Sequence, residues 1–314
     1  MKKLLLFLLS MFFLLPSALA EAQPEFPEIR FTDARGKEIV LSQPAQRIIS
    51  LYSAHTENLY ALGAGDRLIG GSNSEVYPEE ATLLPVYHYR EDPEKVIAAL
   101  PDLVLVRPMI ERVAPEYIEA LERAGLTVAS LYPDTAEEFD SYIRTLALIT
   151  GTEETAETLI ADRHARVAAI AEQNKNLAPV QVFFETSADP LRTLTPEALA
   201  AASVALAGGV LVTDDAPENP GSSMVEYPIE KLIEKADRIE VYVAQLGGMN
   251  KTVTLEDIYS RPGYTALSAV RSGHVLVIDE KLVASPTFRQ LDGIELLAEA
   301  FAAARKADPQ EVNP

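Results

Sequence analysis

The sequence predicts two similar α/β lobes, each a parallel-rich sheet with flanking helices, joined by one long helix with a ligand cleft between them. Three observations carry this. Short apolar strands alternate with helical segments, the pattern of a parallel sheet covered by helices. A unit is written twice, as DPEKVIAALPDLVLV at 92–106 and YPIEKLIEKADRIEVYV at 227–243. Between the two copies, residues 152–177 keep helical periodicity with no internal glycine or proline. The boundaries that follow are 1–20 for a leader, 21–151 for an N-terminal lobe, 152–177 for an interlobe helix and 178–314 for a C-terminal lobe.

The leader comes first. Lys2 and Lys3 precede an apolar run from Leu4 to Leu15, and Ala18 and Ala20 form an A-x-A site. This is the pattern of a secretory signal peptide cleaved after Ala20, too short in its apolar run to span a bilayer. The chain has no cysteine, so neither a lipid-modified cysteine, a disulfide nor a thiolate metal site is available. The expected product floats free in the periplasm and is not a lipoprotein. It keeps 294 residues, with 25 Lys and Arg against 47 Asp and Glu. A net charge of −22 with no basic run excludes nucleic acid and anionic lipid as partners.

In the first half, 31–40 (FTDARGKEIV) reads as a hairpin turning at Arg35-Gly36, and 47–51 as a short buried strand. A helix from about Thr56 ends at Gly63-Ala64-Gly65, and a strand resumes at Leu68. Helix 93–100 leads to strand 103–106, and helix 115–124 to strand 126–131. Thr135 and Glu138 have capping-box spacing and open a helix to Thr150. The 26 residues of 152–177 would reach about 39 Å as one helix, enough to bridge two lobes; the alternative is a long surface helix on a single domain. The second half repeats the grammar with strand 180–185, helix 195–207, strand 210–212, helix 230–236, strands 239–243 and 274–279, and a terminal helix over 292–306.

Ligands of open α/β sheets bind beyond the C-terminal strand ends. Six loops qualify: 52–56, 87–91, 107–112, 186–195, 245–250 and 284–289. They carry Tyr52, His55, Tyr87, His88, Tyr89, Arg90, Arg107, Arg192 and Arg289. Tyrosine and histidine ligate iron, and arginine pairs with carboxylate or catecholate oxygens. Each arginine has a salt bridge to a neighbouring acid as its alternative, and the aromatic cluster could be mere surface. His164 and His274 read as structural. Glu94 and Glu230 occupy matching places in the repeated unit, each at a helix start, where the helix dipole already favours a carboxylate.

RIISLYSAHTENLYALGAGDRLIGGS (47–72), PEKVIAALPDLVLV (93–106) and RPGYTALSAVRSGHVLVID (261–279) resemble the cobalamin, heme and iron-siderophore group of ABC-importer substrate-binding proteins, in order over essentially the whole chain. The resemblance implies the single-interlobe-helix type with small lobe closure. It implies a monomer that hands a metal complex to an inner-membrane permease dimer with its ATPase subunits, with no intrinsic cofactor. By position it makes Glu94 and Glu230 the acidic knobs that meet permease arginines; the second unit is one residue shorter between its Glu and its Asp. It places Tyr87 where heme-binding members carry an iron-ligating tyrosine, although Arg90 falls one place late. Tyr87 and His88 are thus metal ligands if the cargo is heme or an open iron chelate. Cobalamin binders of the group line their cleft with tryptophan, and this chain has none.

Other classes fare worse. No G-x-S-x-G, H-E-x-x-H or P-loop pattern supports a hydrolase, so no enzyme is expected, and four scattered histidines do not suggest a bare metal-ion or oxoanion carrier. The expected cargo is a ferric siderophore or heme, with a corrinoid as alternative.

Overall fold

The computed structural model describes residues 27–133, 135–217, 219 and 221–307. The expected signal peptide, 1–20, lies outside the described residues. After a small antiparallel hairpin, β1 (Ile29–Thr32) and β2 (Glu38–Leu41), the chain enters its first lobe. This comprises β3 (Ile48–Ser50), α1 (Ser53–Ala61), β4 (Leu68–Gly70), α2 (Glu94–Ala98), β5 (Leu103–Val106), α3 (Pro108–Val113), α4 (Pro115–Arg123), β6 (Val128–Ser130) and α5 (Phe139–Thr150). Then α6 (Glu153–Asn174) leads to β7 (Val180–Glu185), β8 (Ser187–Ala188), β9 (Leu191–Leu194), α7 (Leu199–Leu206), β10 (Gly209–Leu211), β11 (Met224–Glu226) and α8 (Ile229–Glu234). The described residues close with β12 (Val241–Leu246), α9 (Leu255–Ser260), α10 (Ser268–Arg271), β13 (Val275–Asp279), α11 (Glu280–Val283) and α12 (Gln290–Ala307).

The two main sheets have the same plan. The first runs β4-β3-β5-β6 and the second β10-β7-β12-β13, both wholly parallel, so the strand that comes second in sequence lies at the edge beside the first. Alternation along the strands supplies both faces. In β5, Leu103 and Leu105 join a core with α1 and α5, whereas Val104 and Val106 join one with α2, α3 and α4. In the second sheet Val182, Phe184 and Val243 face α7 and α12, and Phe183, Tyr242 and Ala244 face α8 to α10.

Helix α6 belongs to both halves. Ala156 and Ile160 on its first turns pack into the N-terminal core, and Ile170 on its last turns into the C-terminal core. Its 22 residues span about 33 Å, shorter than the 152–177 reading, because the chain turns at Lys175 ahead of Pro179. A second connection lies beside it. Phe288 packs edge-on against Phe139 at 5.4 Å, and the Asn58 amide donates to the Pro286 carbonyl at 2.9 Å. Arg289 donates twice to Glu57 at 2.9 and 2.8 Å, and Lys281 Nζ reaches Ser53 Oγ at 2.7 Å. The segment 281–289 of one lobe is therefore strapped to α1 of the other.

Three local expectations need correction. The Thr135–Glu138 capping box does not form: α5 starts at Phe139 with no side-chain cap, and Thr135 and Ala136 instead offer carbonyls to a preceding turn. Helix α7 starts at Leu199 rather than 195, because Thr195 is tied to Ser222 and Ser223 in a loop. The region 186–195 is not a plain loop but carries β8 and β9, which with β11 form a three-stranded antiparallel sheet.

Candidate functional site

The C-terminal ends of both parallel sheets open onto one cleft. Its inner part is a cavity of about 460 Å³ reached by Tyr52 after β3, Ser72–Ser74 after β4, Arg107 after β5 and Tyr132 after β6. From the second lobe come Thr186 after β7, Gln245 on β12, Glu280 and Lys281 after β13, and the start of α7. A larger space of about 960 Å³ adjoins it, lined by Arg107, Arg112 and Tyr132 on one side and by Pro196, Leu199, Asp214 and Ser223 on the other. The two share Arg107, Met109, Tyr132, Ala198, Leu199 and Ser223.

The N-terminal wall is aromatic and basic. The Arg107 guanidinium lies 4.4 Å over the Tyr52 ring, and Tyr132 lies 6.1 Å from it. Burial first, then the neighbouring Tyr132, pushes the Tyr52 hydroxyl above its ordinary range, so Tyr52 stays a neutral donor. Tyr87, His88 and Tyr89 all line the cavity. They are held by a short parallel bridge in which Tyr87 N–H donates to the Gly71 carbonyl at 2.9 Å. Gly70 makes room for the Tyr87 ring: a Cβ there would sit 2.3 Å from it. His88 stacks on Tyr89 at 4.4 Å, and its Nδ1 accepts from the Arg90 N–H at 3.1 Å.

The C-terminal wall is built from smaller groups. Glu280 accepts from Gln245 Nε2 at 3.2 Å and from the Gly248 N–H at 3.0 Å. Lys281 carries the contact to Ser53 across the cleft floor. Among the described residues, no cluster of three or more His, Cys, Asp and Glu is arranged to hold a bare ion.

Five of the nine candidate ligand residues thus share the cavity: Tyr52, Tyr87, His88, Tyr89 and Arg107. Four do not line it. His55 is fully buried, with Nε2–H donating to the Val106 carbonyl at 3.0 Å and Nδ1 accepting from the Tyr142 hydroxyl at 2.7 Å. Burial lowers its pKa to about 4, which keeps it neutral and structural. Arg90 is exposed and lies 5.5 Å over Tyr89. Arg192 pairs with Glu226 at 3.2 Å, its register partner across β9 and β11. Arg289 is spent on Glu57. In so acidic a chain a carboxylate partner was close at hand for the last two.

Glu94 and Glu230 are both exposed in the first turns of α2 and α8, the helices that precede the third strand of each sheet. His164 Nε2 lies 2.7 Å from a carboxylate oxygen of Asp140. The strand-end rule, carried to every strand, would also have named Ser72–Ser74, Tyr132 and Glu280–Lys281. The start of α7 and Ser223 had no such signal, because the antiparallel sheet that brings them there is built from very short strands.

The periplasmic binding protein family matches over residues 48–282. The chain is 26 % identical over 303 residues to the uncharacterized ABC transporter substrate-binding lipoprotein YvrC of Bacillus subtilis (strain 168), covering 90 % of this chain and 88 % of that one. It is 27 % identical over 268 residues to the vitamin B12-binding protein of Vibrio cholerae, covering 84 % and 91 %. Two solved structures share the fold. The periplasmic heme-binding protein RhuT from Roseiflexus sp. RS-1 superposes with TM-score 0.69 at 24 % identity, over 84 % of this chain and 100 % of that one. The ABC-type Fe3+-hydroxamate transport protein from Saccharomonospora viridis DSM 43017 gives 0.68 at 23 %, over 87 % and 98 %.

Proposed function

The chain belongs to the periplasmic binding protein family, and from that premise we propose that it is the solute-binding component of an ABC importer, capturing an iron complex, a ferric siderophore or heme, and delivering it to a membrane permease. The observation that carries this is the convergence of Tyr52, Tyr87, His88, Tyr89 and Arg107 on one interlobe cavity. Phenol and imidazole groups suit iron, and a guanidinium on an aromatic face suits the oxygens of an anionic chelate. In this reading Tyr87 and His88 are the metal-facing residues for heme or an open chelate. The relatives named for vitamin B12 favour a second reading, a corrinoid cargo.

The partner in this proposal is a permease dimer with its ATPase subunits, met through Glu94 and Glu230, one on each lobe. An exposed ion pair contributes only about 0–1 kcal/mol, so the two glutamates set register more than affinity. The protein acts as a monomer between membranes. Among the described residues no helix is long and apolar enough to cross one, and the sequence has no cysteine. It returns its cargo unchanged, as a binding protein and not an enzyme.

The test is a titration of the purified protein with hemin, a ferric tris-hydroxamate and cyanocobalamin. Tyrosine fluorescence serves as one readout, since the chain has 12 Tyr and no Trp, and the visible spectrum and native mass as the others. One metal complex should bind one-to-one while ferric salt alone does not. If none of the three binds, the metal-complex reading fails.

A further inference from the structure

We propose that the C-terminal wall of the cleft holds a carboxylate-binding subsite at the start of α7, so that the cargo is a metal complex bearing a free carboxylate arm. The inference rests on the reading of the cleft as a metal-complex site.

Helix α7 begins at Leu199 and its N-cap residue is Ala198, in extended conformation with φ −65° and ψ 139° and no side chain able to cap. An N-terminal turn leaves its first N–H groups without intrahelical acceptors, and normally a Ser, Thr, Asp or Asn satisfies them. Here the later N–H groups of the turn, those of Ala201 and Ala202, both donate to the Ala198 carbonyl. Those of Leu199 and Ala200 have no partner among the described residues. Both residues are buried, and both line the cleft cavity. Two consecutive N–H donors on buried residues that line the cavity, at the positive end of a helix dipole, offer the donor set of an anion site.

A second, independent feature lines the same cavity. Thr186, just after β7, lines this cavity, is 1 % exposed, and its hydroxyl has no hydrogen-bond partner among the described residues. A buried hydroxyl without a partner is uncommon because desolvating it is unfavourable. Ser223 adds a further hydroxyl to the lining. Two N–H groups and a hydroxyl match the two oxygens of a carboxylate, each able to accept more than one bond. On the facing wall, Arg107 is stacked on Tyr52 and shares both spaces with Ala198 and Leu199. The iron-facing groups and the arm-holding groups therefore sit on opposite lobes, and a ligand with both features would bridge them.

Three variants separate this from a structural role. Ala198→Asp supplies a carboxylate cap that occupies the free N–H groups internally and repels an anionic arm, yet should keep or raise the melting temperature. Ala198→Asn supplies a neutral cap, and Thr186→Val removes the hydroxyl without changing shape. The first measurement is a ¹⁵N amide titration with sodium propionate. The Leu199, Ala200 and Thr186 resonances should shift saturably in the wild type and not in Ala198→Asp. The second compares hemin with its dimethyl ester. Esterification should weaken binding to the wild type at least tenfold, with Thr186→Val weakening hemin severalfold and Ala198→Asp losing the preference for the free acid.

Propionate shifts that are absent, or spread over unrelated amides, overturn the subsite. Equal binding of hemin and its ester overturns it as well. If hemin fails to bind the wild type at all, the proposed heme cargo falls, while the propionate titration still decides the subsite.

Discussion

His55 and His88 show how far environment outweighs residue type. Both fall in segments read as lying beyond a strand end and both were candidate ligand-binding residues, with His88 alone a candidate metal ligand. His88 stacks beside Tyr89 on the cavity wall, whereas His55 is sealed between the Val106 carbonyl and the Tyr142 hydroxyl. The buried imidazole has its pKa lowered to about 4 from an ordinary 6.5, chiefly by desolvation. The unfolded chain therefore binds a proton that the folded chain refuses between those two values. Stability should fall as pH drops from about 6.5 toward 4, by up to about 3 kcal/mol, and this contribution should level off below that. Denaturant melts at pH 7 and pH 4.5 would show it, and His55→Gln should flatten that part of the profile. A slope unchanged by the substitution would assign the pH dependence to other groups. At this scale the aromatic triplet 87–89 was legible, because loop aromatics at a strand end have few structural duties. Arg192 and Arg289 were not, because a guanidinium serves a ligand or an internal carboxylate equally well, and sequence does not reveal which acid is near.

Elements were legible where they obey a single period. Strand 103–106 is a continuous apolar run, 180–185 is mostly apolar with Gln181 and Glu185 as its polar members, and both appear where the sequence put them. Helix α1 does not obey such a rule. His55, Thr56, Glu57 and Asn58 are all buried, so its polar face is not a solvent face. The strap over 281–289 covers it with partners more than 200 residues away in sequence, which no local pattern encodes. The Glu57–Arg289 pair is the main polar contact of that strap. Burial works against the Arg289 charge, and the Glu57 carboxylate more than offsets it. Arg289→Met alone leaves a largely buried carboxylate and should cost about 3 kcal/mol, the lower end for a buried pair because Arg289 keeps some solvent. Glu57→Leu combined with Arg289→Met should return to within about 1 kcal/mol of wild type. Additive losses in this double-mutant cycle would show that the pair is not coupled.

At the scale of the molecule, the twofold reading rests on the shared strand plan and on the separate hydrophobic cores of the two sheets. It was legible because the repeated unit prescribes the same helix and third strand in each half. What the repeat could not show was the extra antiparallel sheet, which exists only in the second half. The proposed docking role of Glu94 and Glu230 belongs at this scale, because it needs one acidic group on each lobe. Glu94→Ala with Glu230→Ala should abolish uptake in a reconstituted transport assay while leaving the solution affinity for the metal complex unchanged. A matching drop in affinity would place these residues in the ligand site instead.

The lobes are joined twice, by α6 and by the strap over 281–289. Two fixed points define a line, and a body held at two points can only turn about it. Sliding of one lobe past the other, and rocking about any other direction, would break one joint. Opening is thereby reduced to a single angular coordinate, so one interlobe distance measured far from that line reports the whole motion. Little orientational entropy is then left for a ligand to remove when the cleft shuts.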